Sequence, residues 1–245
     1  MTYTFVNLFS LTIYVSALFF GSTQHEFHPV AEKYLVAVGG KEKWQKVKSL
    51  EMEYEVLYKD VEPKSQHLAT STKSSYHKIL QKGERYFSES ASIAEGKRRM
   101  IYNGKQLIEI NPQGNKIISQ AESEIIIEHK RRTFHYGAPW VVIHSEKMEY
   151  LGEETVNDIP CQVLEVTYRG LAQKYYIRND NNLLLMISMF DGLTKTYFSN
   201  YKEIQGYNVP HFTSGYINGQ LEIEKELKRI VFNGTISDSI FEVDQ

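Results

Sequence analysis

In "LEMEYEVLYK", Leu50, Met52, Tyr54, Val56 and Tyr58 alternate with Glu51, Glu53 and Glu55. A two-residue period of this kind predicts a strand with one face buried and the other wet. The period before it is different. Val30, Tyr34, Leu35 and Val38 share one helical face, Pro29 suits a first helical turn, and Gly39 with Gly40 ends the helix. A second short helix is expected from Lys41 to Lys48, with Trp44 and Val47 on one side. After the first strand, turn signals recur roughly every dozen residues, the spacing of an antiparallel meander. They are Asn103-Gly104, Gln113-Gly114, Asn157-Asp158, Arg169-Gly170, the polar run "NDNN" from Asn179, Asp191-Gly192, Gln205-Gly206 and Asn218-Gly219. Asn-Gly and Asp-Gly supply the positive φ angles that tight hairpins need.

One segment interrupts the meander. In "AESEIIIEHKRRTFHYGAPWVVIHSEKM", helical spacing links Ile125, Ile126, His129 and Thr133, with acids early and basic residues late, the charge order that suits the helix dipole. "PWVVIH" follows Gly137 and reads as a short apolar helix or turn. Farther on, "NLLLMISMF" is apolar on both faces. Strict alternation puts Leu183, Leu185, Ile187 and Met189 on one side and Leu184, Met186 and Phe190 on the other. Neither face suits bulk water. "LEIEKELKRIVF" is one-sided, with Leu221, Ile223 and Leu227 opposite Glu222, Glu224 and Glu226. A curled sheet wrapped round helices gives this combination, and so does a filled β-sandwich.

Composition narrows the class. The chain has 245 residues, 42% hydrophobic, with 17 Tyr, 12 Phe and only 6 Pro. That is enough for a sizeable core in one mainly β domain. A net charge of −2 gives no concentrated basic surface for nucleic acid. The single cysteine, Cys161, lies in the strand-like run "IPCQVLEVTY" and reads as a small buried hydrophobe. His25 and His28 lack a third metal ligand nearby, and His129, His135 and His144 do not share a helical face. No G-x-S-x-G, H-E-x-x-H or Walker loop occurs. The clusters "GKRR" from Gly96 and "HKRR" from His129 fit a solvated strand end and a helix C-terminus. Neither an enzyme nor a cofactor or metal is therefore expected. Residues 5–20 are apolar apart from Asn7, Ser10, Thr12 and Ser16, and small residues follow. This reads as a signal peptide or N-terminal anchor over residues 1–23, short of the ~20 apolar residues of a bilayer span.

The segments "KYLVAVGGKEKWQKVKSLEMEYEV", "EYLGEETVNDIPCQVLEVTY" and "TYFSNYKEIQGYNVPHFTSGYINGQ" together resemble the LolA/LolB-like superfamily of outer-membrane lipoprotein-sorting proteins, and look closest to a Bacteroidetes-type branch. The resemblance covers nearly all of residues 24–245, as a single domain. It implies an antiparallel half-barrel of about eleven strands, with helices covering the concave face. It also explains the ring-rich stretch from Tyr197 to Phe212 as a hairpin. Gln205 and Gly206 make the turn, and Pro210 sits early in the returning strand, where its missing N–H is tolerated. Family members carry acylated lipoproteins in a hydrophobic cavity. The implied function is a non-enzymatic protein of the periplasm or outer envelope of a Gram-negative bacterium, binding a lipid or acyl chain. The alternative is an envelope interaction module with a self-filled core. Cavity candidates are Leu184, Met186, Phe190, Tyr197, Tyr201, Phe212 and Trp140. A lipid and an envelope protein are the expected partners. Membrane contact is expected to be peripheral or through an uncleaved N-terminal segment.

Export generates a direct expectation. N-terminal sequencing of the protein recovered from the periplasm should find a mature start between Gly21 and Glu26. An intact Met1 in the membrane fraction would identify an anchor instead.

Overall fold

The computed structural model describes residues 27–58, 73–83, 85–92, 96–112, 114–118 and 137–242. Helix α1 (Pro29–Ala37) begins at His28, whose Nδ1 accepts from the Val30 N–H at 3.3 Å. Helix α2 (Lys41–Gln45) is shorter than its sequence period allowed. Strands β1 (Ser49–Tyr58), β2 (Lys73–Lys82), β3 (Arg85–Ser92), β4 (Gly96–Tyr102), β5 (Leu107–Asn111) and β6 (Gly114–Ile118) follow. Helix α3 (Gly137–Ile143) is the short apolar turn of "PWVVIH". The helical spacing read from Ile125 to Thr133, and the segment 1–23, lie outside the described residues. Strands β7 (Lys147–Val156), β8 (Ile159–Tyr168), β9 (Leu171–Arg178), β10 (Leu184–Met189), β11 (Thr194–Ile204), β12 (Tyr207–Ile217) and β13 (Gln220–Phe232) complete the set.

The thirteen described strands form one antiparallel sheet in the order β6-β5-β4-β3-β2-β1-β13-β12-β11-β10-β9-β8-β7, where the resemblance implied about eleven. Two meanders run outward from a central β1–β13 pair, which aligns Leu50 with Phe232 and Met52 with Ile230. The sheet does not close, because β6 and β7 are both edges. Four hairpin turns carry two successive left-handed residues: Asn157 and Asp158, Arg169 and Gly170, Gln205 and Gly206, Asn218 and Gly219. Those are the dihedrals of tight turns whose twist matches the flanking strands.

The inner face gathers one large core. Val30, Tyr34 and Leu35 of α1, Trp44 of α2, and Val141 and Val142 of α3 meet side chains from strands on both sides of the β1–β13 pair. The helices therefore cover the concave face of a half-barrel. The outer face of the β13–β4 side is charged. Glu51 meets Lys78 at 3.0 Å and Arg229 at 2.7 Å, and Glu89 meets Lys97 and Arg99. Partial burial alone raises the Glu51 carboxyl, but Lys78 and Arg229 bring it below its ordinary value. The cations of "GKRR" are thus partners in ion pairs along the sheet, Arg98 pairing with Glu109 at 3.1 Å.

Strict alternation fails in β10. The register shifts between Leu184 and Met186. Leu184 consequently joins the inner core, with Ile187 packed against it. Leu185 and Met186 belong to a small outer cluster with Cys161, Val163 and Tyr176. One extra residue in one strand moves everything beyond it to the other face. Cys161 is fully buried there, and burial raises its thiol pKa.

The helices are clamped to the sheet at one point. Gly39 sits at φ 115°, and a Cβ on it would lie 2.6 Å from the Gly206 carbonyl oxygen. Around this approach, Asn208 N–H donates to the Val38 carbonyl at 3.2 Å and Lys43 Nζ to the Gly206 carbonyl at 3.1 Å. Tyr207 Oη donates to the Lys43 carbonyl at 3.1 Å. The Tyr207 ring stacks on Phe232 with centroids 3.9 Å apart, and Trp44 meets both rings edge-on. Deeper in the sheet, His211 is 7% exposed and donates from Nδ1 to the Leu227 carbonyl at 3.1 Å. Burial depresses its pKa, the Leu227 carbonyl opposes that, Lys202 depresses it further and Glu226 raises it.

Two stability measurements test this description. Gly39→Ala should lower the denaturation midpoint more than Gly40→Ala. Both glycines have positive φ, a strain of about 1–3 kcal/mol for alanine, but nothing lies within 4 Å of a Cβ at Gly40. Equal losses would remove the close approach as a constraint. The second concerns pH. A histidine with a depressed folded pKa binds fewer protons folded than unfolded. Its stabilising contribution is complete above the ordinary value of about 6.5 and is lost as pH falls through the folded value. His211→Leu should therefore flatten the stability decline from pH 7.5 downward, measured by urea unfolding at several pH values. An unchanged slope would assign the decline to other groups.

Candidate functional site

The helices do not fill the half-barrel. Between them and strands β9–β13 lies a cavity of about 820 Å³. Its floor is the clamp region, with Tyr34, Val38, Trp44 and Phe232. Its walls carry Leu184, Ile187, Phe198, Val209, Ile223 and Leu227. Its mouth lies at the far hairpin ends, where Phe190 and Ile217 also line it and are 56% and 46% exposed. From Val209 to Ile217 along β12 the cavity extends about 27 Å at 3.4 Å per residue. Gly215 widens it, since a Cβ there would lie 2.7 Å from Ile223 Cγ2.

Polar groups also line these walls, among them Gln173, Thr196, Asn208, His211 and Thr213. Tyr201 Oη donates to the Leu184 carbonyl at 2.8 Å, and burial drives its pKa far upward, so it stays neutral. Burial raises Tyr34 well above its ordinary value, reinforced by Tyr201 and Tyr175. Three lining groups keep a buried polar atom without a hydrogen-bond partner among the described residues: Gln173 Nε2, Thr194 Oγ1 and His211 Nε2. The Leu227 carbonyl can only accept, so Nδ1 of His211 carries its proton. In the neutral ring Nε2 is then a bare acceptor. Among the described residues no three His, Cys, Asp or Glu side chains converge as a metal site.

The seven residues singled out from sequence separate. Leu184, Phe190 and Tyr201 line the cavity. Asn200, at φ 53°, interrupts the alternation of β11, so Phe198 and Tyr201 both reach it. Met186 belongs to the outer cluster, with Tyr197 packed against it. Phe212 registers with Ser199 and Glu226 on the outer face. Trp140 packs against the core from α3, its ring 3.8 Å from that of His144, and does not border the cavity. Gln173 and His211 were missed. Each stands in phase with apolar neighbours, Gln173 with Tyr175 and Ile177, His211 with Tyr207 and Val209. A polar residue at a core-phase position was the available signal.

No family model matches the chain, and no curated protein matches it. Solved structures do. A DUF1329 family protein from Desulfovibrio piger aligns with a TM-score of 0.55 at 16% identity, covering 87% of this chain and 97% of that one. A LolA superfamily protein from Nitrosomonas europaea aligns with a TM-score of 0.54 at 14% identity, with the same coverage of each. At such identities the likeness is one of architecture: an open antiparallel sheet curved round a few helices. The chain has a LolA-like fold.

Proposed function

We propose that the protein is a non-enzymatic component of the cell envelope that binds a lipid or acylated ligand, housing its hydrocarbon chain in the half-barrel cavity. The observation that carries this reading is the cavity itself: long, walled by aliphatic and aromatic side chains, and open at one end. Its volume falls within the range of small-molecule sites, which are mostly apolar with a few placed polar groups. A chain of about sixteen carbons gains roughly 12 kcal/mol gross at ~0.8 kcal/mol per methylene. After association costs, that suffices for micromolar binding. The self-filled alternative calls for side chains where the cavity stands open. Export belongs to the same proposal and rests on the apolar segment of residues 5–20. Among the described residues no helix is long and apolar enough to cross a membrane.

Titration of delipidated protein with a fluorescent fatty acid tests the reading. Saturable binding, competed by unlabelled chain, is expected. Thr196 faces the cavity beside Gly215, so Thr196→Trp should abolish binding without loss of fold. Ser199, exposed on the outer face, gives the control, and Ser199→Trp should bind as wild type. Absence of binding by folded, delipidated protein would favour the interaction module.

A further inference from the structure

The three unpartnered polar atoms are not equivalent, and their positions give the cavity a direction. Gln173 is 4% exposed. It stands one step beyond the Ser188–Lys174 pair of β9 and β10, which places it beside Met189, and Met189 pairs with Thr194 across β10 and β11. Gln173 and Thr194 thus flank Met189 on the inner face, about 10 Å apart across two strand spacings. All three line the cavity at its mouth end. Gln173 Nε2 is a donor and the Thr194 hydroxyl donates or accepts. His211 Nε2 lies deeper, six residues along β12 from Ile217, or about 20 Å, and is an acceptor. A buried donor left unpaired is destabilising, and a ligand acceptor placed against it relieves that loss.

The charges at the mouth agree with this polarity. Lys195 borders the cavity at its rim, its register partners Ser188 and Tyr216 placing it on the face opposite Thr194. Its Cε lies 3.9 Å from where a Cβ on Gly192 would stand, so the side chain folds back over the hairpin tip. Arg169 lines the same end, with its guanidinium 5.9 Å from the Tyr168 ring centroid. Among the described lining residues the only carboxylate is Glu222, on β13, two strands away from β11.

We propose that Gln173, Thr194 and Lys195 form a headgroup subsite for a single-chain amphiphile ending in an oxygen anion, a carboxylate or a phosphate monoester. The chain runs inward toward Trp44 and Phe232. The subsite rests on the reading of the cavity as a chain-binding site and adds to it the polarity of the ligand and its orientation. An anion at the mouth accepts from Gln173 and Thr194, and the Lys195 ammonium, folded over the hairpin tip from the opposite face, supplies the charge-assisted contact from the rim. In the reverse orientation it would face the lone pair of His211 Nε2 and the apolar floor.

The test is displacement of a fluorescent alkyl probe from the delipidated full chain at pH 8 by hexadecanoic acid, hexadecyl phosphate and hexadecanol. At least one anion should displace the probe at about tenfold lower concentration than the alcohol, and the stronger of the two sorts carboxylate from phosphate. Gln173→Leu and Lys195→Gln should each reduce that preference several-fold while hexadecanol binding holds. Lys195 is half-buried at a hairpin tip, so Lys195→Gln carries the test should Gln173→Leu fail to fold. Equal displacement by all three ligands, or a preference that survives in the folded variants, overturns the subsite and leaves chain binding intact. Displacement by none of them overturns the chain-binding reading and the subsite together.

Discussion

The close approach of Gly39 to the Gly206 carbonyl is the constraint on which the rest of the structure depends. The three described helices, of nine, five and seven residues, are too short to hold helical form alone in water. They persist because they pack on the sheet, α1 and α3 against β8 and the α1–α2 turn at the Gly39–Gly206 approach. At that point two backbones touch without a side chain between them. The hydrogen bonds from Asn208, Lys43 and Tyr207, and the ring set of Trp44, Tyr207 and Phe232, form only at that separation. The same contact sets the floor of the cavity. Trp44 and Phe232 belong both to the clamp and to the lining, so displacement of the helices would deepen or collapse the space above them.

Much of this was legible in the sequence, because local chemistry specified it. The Gly39-Gly40 break, the two-residue period of β1 and the paired turn residues each have a backbone reason, and each stands where that reason placed it. The phase of β10 was not legible. Nothing local marks the register shift between Leu184 and Met186, since both faces of that strand are apolar and either assignment satisfies burial. The pairings with β9 and β11 decide the phase, and they are nonlocal. For that reason Met186 and Tyr197 were grouped with Leu184 and Tyr201, although the sheet separates them. Phe212 was drawn in by its ring alone. Its neighbours His211 and Thr213 hold the inward phase. Gln173 and His211 escaped notice because a polar side chain inside an apolar alternation resembles noise until the cavity gives it a place.

The outer face of the sheet differs between its two halves. On the β13–β4 side, outward ion pairs such as Glu51 with Lys78 and Arg229 lie on a surface where each contributes little. On the β8–β11 side, the outer cluster of Cys161, Val163, Tyr176 and Met186 gives these strands a second apolar layer. The same strands are also buried on their inner face, where Leu164, Val166, Tyr175, Ile177 and Leu184 join the main core, and burial on both sides accounts for the doubly apolar composition of β10.

The size of the cavity also constrains what can occupy it. A sealed dry void of about 820 Å³ at ~24 cal/mol per Å³ would cost roughly 20 kcal/mol, more than the 5–15 kcal/mol that holds a typical domain together. Opening to solvent or an occupant removes that cost. Water can reach the mouth, where Phe190 and Ile217 are exposed, but it gains little against the aliphatic walls. A hydrocarbon chain would have the opposite preference, satisfying the walls and leaving the polar atoms at the mouth to any headgroup it carried. The open sheet makes filling compatible with folding. Backbone ladders hold β9–β13 in register whether or not side chains meet across the interior, so the walls do not depend on an occupant.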